Sequence, residues 1–536
     1  MKLRDLIFVS VVLAGGLALA RGALRPPAST PPREPEKKTG QADLRPIVAE
    51  INAVFERRWA EQGARPAPPA AELAVLRRLS LALTGSIPSL EEIRQFEARP
   101  AAGRIESRLD ELLRDRRTAD YLAERFARAL VGTEDGPFVK FRRWRFTTWL
   151  SDAILENRPY ETVVRDLVAG QGLWTDHPAT NFVSVTISEE TELPDPERLA
   201  ARVSRAFLGV RLDCAQCHDH PFQPWKQADF RGLAAFFGNV HSNLRGVRDG
   251  ETTYHPLDRK TKQAVTVEPR VPFHPELLPG AGSLREQLAG WIVNPGNPNL
   301  ARATVNRVWA LLFGRPLVDP VDDLPASGEL PPMLLLLAGD FSSHGYDLRR
   351  LIRVIAATEV FRLESTDSTS AESDGPNDEN WAAFPLTRLR PEQVAGAVFQ
   401  AASLATLDPQ SPWFVRLAFY TGRNNFVRRY GDTGEDEFAV RGGTIPQRLL
   451  LMNGELVREK TKDNLFNASR RIAELAPDDR KAIEVAYLTV MTRRPTSEEL
   501  SHFESRLAGT KDQERKDRLT DLFWTLLNTT EFSWNH

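Results

Sequence analysis

Cys214 and Cys217 are the only cysteines in 536 residues, and they stand with His218 and His220 inside seven positions of VRLDCAQCHDHPF (210–222). The whole chain holds nine histidines, so this clustering calls for a chemical reason. The order Cys-x-x-Cys-His suits covalent haem. Two thiols separated by two residues can each add across one vinyl group of a single porphyrin. The histidine after the second cysteine then lies under the iron as proximal ligand. Cys214, Cys217 and His218 fit those roles one for one. Two other chemistries use the same residues. Cys214, Cys217, His218 and His220 form a Cys2His2 donor set for another metal ion. Adjacent ligands at 217 and 218 make a tetrahedral chelate awkward, so three of them with a remote histidine is the better set. Alternatively, Cys214 and Cys217 pair as a disulfide, structural or redox-active. The strand-then-helix setting of a thioredoxin fold is missing around them.

His220 precedes Pro221, which holds it extended. Only two residues past His218, it cannot round a porphyrin edge. It reads as a hydrogen-bonding residue of the loop, or as a polar partner of the bound group. A sixth iron ligand would come from His177, His241, His255, His274, His344, Met333, Met452 or Met491. His241 and His177 are the nearest of these in sequence.

Helices are expected on both sides of the loop. DPERLAARVSRAFLG (195–209) predicts a helix capped by Asp195, opened by Pro196 and ended by Gly209. Its Leu199, Val203 and Phe207 share a face. DFRGLAAFFG (229–238) predicts a second short helix, so the motif occupies a tight loop between two amphipathic helices. LRRLSLALTGSIPSLEEIRQF (76–96) reads as helix, Gly85 stop and new helix. Apolar residues at helical spacing continue through 105–132 and 141–170. Residues 252–271 alternate as strands and predict a small hairpin beside the site. Pro, Gly and Asn concentrate at 275–299, which marks a boundary. LARATVNRVWALLFGRPLV (300–318) opens the second half with a strong helix, in which Asn306, Arg307 and Trp309 read as anchors of a domain interface. The expected fold is mainly α, with two helical domains (44–280 and 284–536) and a small β-hairpin near 252–271.

The N-terminus carries Lys2 and Arg4 before an apolar run from Leu6 to Ala20. That run is shorter than the ~20 residues of a spanning helix and ends in small residues. Residues 1–20 predict a secretory signal peptide, or an uncleaved anchor, followed by a Pro-rich linker over 21–43. The body is then periplasmic, secreted or anchored on the outer side of the cytoplasmic membrane, where disulfides persist and haem is attached to thiols. Membrane association is expected only through that anchor. Lys+Arg is 70 and Asp+Glu is 72, a net charge of -2, which gives no electrostatic case for nucleic acid. RRYGDTGEDEF (428–438) reads as a solvated turn with ion pairs, and ESTDSTSAESDGPNDEN (364–380) as a surface loop. No phosphate loop, HExxH, GxSxG or EF-hand pattern occurs.

CAQCHDHPFQPWKQADFRGLAAFFGNV resembles the hallmark of the planctomycete-type cytochrome-like domain of unknown function. RRLSLALTGSIPSLEEIRQF and RPYETVVRDLVAGQG resemble earlier segments of that domain. NPNLARATVNRVWALLFGRPLV, DFSSHGYDLRRLIRVIAATEVFRLES, RLRPEQVAGAVF, GTIPQRLLLMNG, TRRPTSEEL and LLNTTEF resemble its usual companion C-terminal domain. The resemblance runs from about residue 45 to 536. It implies an exported protein with at most one haem, because the further small cytochrome domain often found at the N-terminus is replaced here by the Pro-rich linker. It also implies an exported redox partner or sulfatase-like protein, and a link to polysaccharide breakdown. The expected function is therefore a mono-haem c-type cytochrome-like protein in electron transfer or haem-dependent redox work. The alternative is a non-enzymatic exported binding or scaffold protein whose Cys214 and Cys217 form a disulfide or metal clip, with another metal ion or no cofactor.

Overall fold

Helix Asn299–Phe313 organises the fold. All of its residues from Leu300 on are buried except Arg302, and most of them are apolar. Gly314 ends it in the left-handed conformation, at φ 78°. Trp309 and Phe313 stack at 4.3 Å between ring centres, and Trp381, Phe384 and Phe361 close an aromatic cluster around Phe313. Helix Glu72–Thr84 packs on one side of this central helix, and a turn at Ser204–Leu208 packs on another.

The chain is seen as a computed structural model that describes residues 43–133, 141–188, 190–243, 245–257, 263–326, 328–365, 380–431, 434, 438, 444–464 and 467–536. The expected signal segment (1–20) and linker (21–43, all but its last residue), most of the polar tract (364–380) and the acidic residues of 432–437 lie outside these. Helix dominates, as the apolar spacing predicts. Among the described residues the only ladders are two short antiparallel pairs, Val240–Asn243 with Gly246–Asp249 and Thr387–Arg388 with Trp534–Asn535. Single antiparallel bridges at Tyr254–Val267 and Leu257–Ala264 mark the hairpin expected at 252–271. The more regular hairpin, 240–249, lies just before it. No helix among the described residues is long and apolar enough to cross a membrane.

Residues 47–536 form one compact unit. Leu76, Leu81, Leu90, Ile93 and Phe96 share an apolar cluster with Val394, Val398, Ile483, Leu522 and Phe532. Segments on both sides of the 275–299 connector therefore build one core. Ser89 caps helix Leu90–Glu97 in a reciprocal pair with Glu92, as its sequence predicts.

Two buried arginines sew helix Glu72–Thr84 to the end of the chain. Arg77 donates to Val490 O at 3.3 Å and Phe532 O at 3.2 Å. Arg78 donates to His536 O at 2.8 Å, Phe361 O at 3.0 Å and Leu363 O at 2.7 Å, with its guanidinium over the Phe384 ring. Burial pushes Arg77 down to about 10 and Arg78 down to about 9, so both stay charged at neutral pH. The same surroundings act on His536. Burial, reinforced by Arg77, pushes its imidazole down to about 4 against the pull of Glu531.

Two consequences are measurable. Asn306 is fully buried, donates to Val318 O at 2.8 Å and Val321 O at 3.3 Å, and accepts from Val318 N–H at 3.0 Å. Asn306→Leu leaves those backbone groups unpaired and should cost about 2–4 kcal/mol in urea unfolding. For His536, the unfolded imidazole titrates near 6.5 and the folded one lower, so the unfolded state takes up the proton first. Stability present above pH 6.5 is lost as pH falls toward 4. The loss between pH 7 and pH 5 should shrink by about 2 kcal/mol in His536→Gln, read from urea midpoints at the two pH values.

Candidate functional site

The helix before the motif begins as its sequence predicts. Asp195 accepts from the N–H groups of Glu197 and Arg198 at 2.9 and 3.1 Å, and Pro196 fills the first turn. It changes register before it ends. Helix Pro196–Val203 passes into a π-helical turn at Ser204–Leu208, closed by Gly209 N–H donating to Ser204 O. Gly209 sits at φ 65°, and a side chain there would meet Ala303 and Leu324 at 3.1–3.2 Å. Gly209 O accepts from Leu324 N–H at 2.6 Å, and Asn299 Nδ2 donates to Leu208 O at 3.1 Å. The chain therefore enters the motif pressed against helix Asn299–Phe313 and the segment beyond it.

Charge pairs fix the backbone on both sides of the cysteines. Arg205 grips Asp213 with two bonds, at 3.0 and 2.6 Å. Arg211 donates twice to Asp322 Oδ1, at 3.0 and 2.7 Å, and its backbone N–H reaches Asp323 at 3.3 Å. Gln223 Nε2 donates to the same Asp323 oxygen at 3.3 Å. Asp322 and Asp323 are themselves placed by the loop that Asn306 clamps. Across the motif, Gln227 Nε2 donates to Gln216 O and Cys217 O, at 3.1 and 3.0 Å, and Asp219 accepts the Gln227 N–H at 2.9 Å. Gln216 donates to Glu197, which also accepts from the Tyr254 hydroxyl at 2.7 Å. Desolvation and that carboxylate push the Tyr254 hydroxyl up, so it remains the donor.

On this frame Cys214, at the end of a short 3-10 turn (Leu212–Ala215), and Cys217 are both exposed and unpaired. Partial desolvation and the Asp213 carboxylate push the Cys214 thiol up, with Asp323 adding to the effect against Arg205 and Arg211. Cys214 is thus a protonated thiol at neutral pH, without the depressed value of a reactive disulfide-exchange cysteine. His218 is exposed, and its Nδ1 lies 2.7 Å from Asp219 O. A carbonyl only accepts, so Nδ1 carries the proton and Nε2 keeps a free lone pair.

His220 has the opposite tautomer. Its Nδ1 accepts the N–H groups of Phe222 and Gln223, at 3.1 and 3.0 Å, while its backbone N–H donates to Trp225 O at 2.8 Å. A neutral ring with Nδ1 as acceptor carries its proton on Nε2, so neither nitrogen is available to a metal. His220 locks the turn that presents Phe222, which is 92% exposed.

The two histidines nearest in sequence make their contacts on other elements. His177 is exposed beyond Gly172, which bridges to Val247, and its backbone N–H donates to Leu173 O. His241 sits on strand Val240–Asn243 opposite Arg248, with its Nε2 3.2 Å from Thr252 Oγ1. Neither hydrogen-bonds to the 214–220 loop. Met333 and Met491 are core residues. Among the described residues no three His, Cys, Asp or Glu side chains gather as they would around a metal ion. The residues that sequence reading did not assign to the site are Glu197, Arg205, Arg211, Asp213, Asp322 and Asp323. The first four precede the motif, but no local pattern links Arg205 and Arg211 to a carboxylate more than 100 residues away.

The His220 lock is directly testable. In His220→Ala the Phe222 and Gln223 amides should exchange with deuterium roughly tenfold faster, the worth of one or two hydrogen bonds. His220→Asn, whose carbonyl can accept the same pair, should restore slow exchange. Equal rates in all three proteins would refute the lock.

Residues 50–242 match the family model PSCyt2, protein of unknown function (DUF1549), and residues 284–425 match PSD1, protein of unknown function (DUF1553). No curated protein and no solved structure matches the chain. The 214–220 loop lies within the first match, while Asp322, Asp323 and Asn306, which hold it, lie within the second. The two matches, in this order along the chain, are to the two domains of unknown function that occur together in planctomycete-type proteins.

Proposed function

We propose that the chain is an exported mono-haem c-type cytochrome-like protein that carries electrons or does haem-dependent redox work, with a link to polysaccharide breakdown. Cys214 and Cys217 would hold the haem through two thioethers, and His218 would be its proximal ligand. The observation that carries this reading is the His218 tautomer. Its Nδ1 is engaged by Asp219 O at 2.7 Å, which leaves Nε2 as the nitrogen that could coordinate, the arrangement metal-binding histidines adopt. Both thiols are unpaired and exposed on a loop pinned from both ends. A haem bound there would supply a one-electron couple. The chain's own residues would orient it. Arg205 and Asp213 hold the backbone at Cys214, and Gln227 holds it at Cys217. The sixth ligand would come from outside the loop, because His220 spends Nδ1 on the Phe222 and Gln223 amides and stands only two residues from His218. The body would lie in the periplasm, outside the cell or on the outer face of the cytoplasmic membrane. Its partner there would be an exported redox protein or a sulfatase-like protein.

A second reading has its own support. Charged side chains surround Cys214, and its thiol is pushed up. These are surroundings for a structural pair in a non-enzymatic binding or scaffold protein.

One experiment separates the two. The protein is exported from a host that matures c-type haem, then examined by pyridine haemochrome spectrum and intact mass. Under the first reading it carries one haem of added mass, and Cys214→Ala or Cys217→Ala each abolishes the two-thioether spectrum. His218→Ala keeps covalent mass but shifts the absorption band. A colourless protein lighter by two protons would instead establish the Cys214–Cys217 disulfide and the scaffold reading.

A further inference from the structure

Apolar side chains face outward on two neighbouring helices late in the chain. Helix Trp413–Tyr430 packs inward through Phe419, Gly422, Phe426 and Tyr430. A side chain at Gly422 would strike the Phe399 ring at 2.6 Å, and Phe399 meets Phe419 at 5.0 Å between ring centres. The opposite face should be polar. Its first half is not. Trp413, Leu417 and Tyr420, at positions i, i+4 and i+7, are 74%, 54% and 58% exposed, with Phe414 beside them. Helix Ile445–Asn453 repeats the pattern, with Ile445, Leu449 and Met452 exposed at the same spacing. The helices meet where Gln447 Nε2 donates to Tyr430 O at 2.9 Å.

Charge selects what covers this face. Neither helix contains an acidic residue, and the first holds four arginines, of which Arg429 lies 3.8 Å from Glu455. Arg416 and Arg423 flank the Trp413–Leu417–Tyr420 stripe on one side. Among the described residues Arg416 forms no ion pair, and Arg423 lies over the Phe419 ring. Trp and Tyr with a bare aliphatic stripe, flanked by arginines whose stems can snorkel, is the make-up of a helix that lies in a lipid headgroup layer. A sulfated sugar would use the arginines and aromatic rings but not Leu417, Ile445, Leu449 and Met452. We infer that the outward face of helix Trp413–Tyr430, continued by helix Ile445–Asn453, docks on an anionic bilayer surface. This is independent of any cofactor at Cys214 and Cys217.

Flotation of the full chain with phosphatidylcholine vesicles, with and without phosphatidylglycerol, tests it. The wild-type protein should float with the anionic vesicles, less so at high salt. Trp413→Ser/Leu417→Ser should reduce the bound fraction about tenfold. Arg416→Gln/Arg423→Gln should lose most of the preference for phosphatidylglycerol. All four side chains are exposed or half-exposed, so the urea midpoint should stay at the wild-type value, and the arginine pair keeps the test decisive if the serine pair unfolds. Wild-type-like flotation of both variants would place binding elsewhere, such as the apolar run at 6–20, and overturn the inference. So would failure of the wild-type protein to float, retention on a sulfated polysaccharide without flotation, or a dimer that the serine pair dissociates.

Discussion

The arrangement at Cys214 depends on one buried amide. Asn306 is fully buried in a mostly apolar helix and must satisfy its own polar atoms. It does so by taking Val318 and Val321 as partners. That choice sets the 318–323 segment, hence Asp322 and Asp323, hence Arg211 and Gln223 on either side of the motif. Each link is a directional bond between groups with few alternatives nearby. The loop that carries both thiols is consequently held from below by residues of the second matched domain. Neither half of the chain alone would fix it.

The exposed side of that loop is ordered by a different means. His218 and His220 are two residues apart yet present opposite nitrogens to the backbone. One donates to a carbonyl and the other accepts from two amides. The first leaves Nε2 with its lone pair, while the second spends the lone pair of Nδ1 on the turn. Similar division of labour holds among the buried charges. Arg77 and Arg78 tie carbonyl groups of distant segments, and Glu92 draws Arg108 and Arg117 to one carboxylate. Burial raises that carboxylate and the two guanidiniums lower it, with the lowering dominant. Such groups specify which helices meet, since an unmatched partner would leave a charge in the core.

Amphipathicity does not point one way throughout. In the first half of the chain the apolar stripes face the core, as periodicity predicts. Helix Trp413–Tyr430 carries apolar side chains on its outward first half as well as on its packed face. It is exposed because only one neighbour, helix Pro391–Ala401, covers it substantially. Hydrophobic pattern tells how much apolar surface a helix has, while the number of neighbours decides how much is left bare.

Local features were legible in the order of residues alone. Helix class, the caps at Ser89 and Asp195, the stops at Gly85, Gly209 and Gly314, and the chemistry-bearing residues 214–220 all follow from short-range rules of backbone geometry and side-chain hydrogen bonding. Folding in three dimensions settled the rest. Arg205 and Arg211 both reach Asp322, on a segment more than 100 residues further along the chain. The tautomers of His218 and His220 depend on loop geometry within 0.5 Å or so. The shared core of residues 76–96 with 389–532 needs the chain's end to return to its beginning. These are long-range choices, settled by shape and by the cost of leaving buried polar groups unpaired, and no local spacing encodes them.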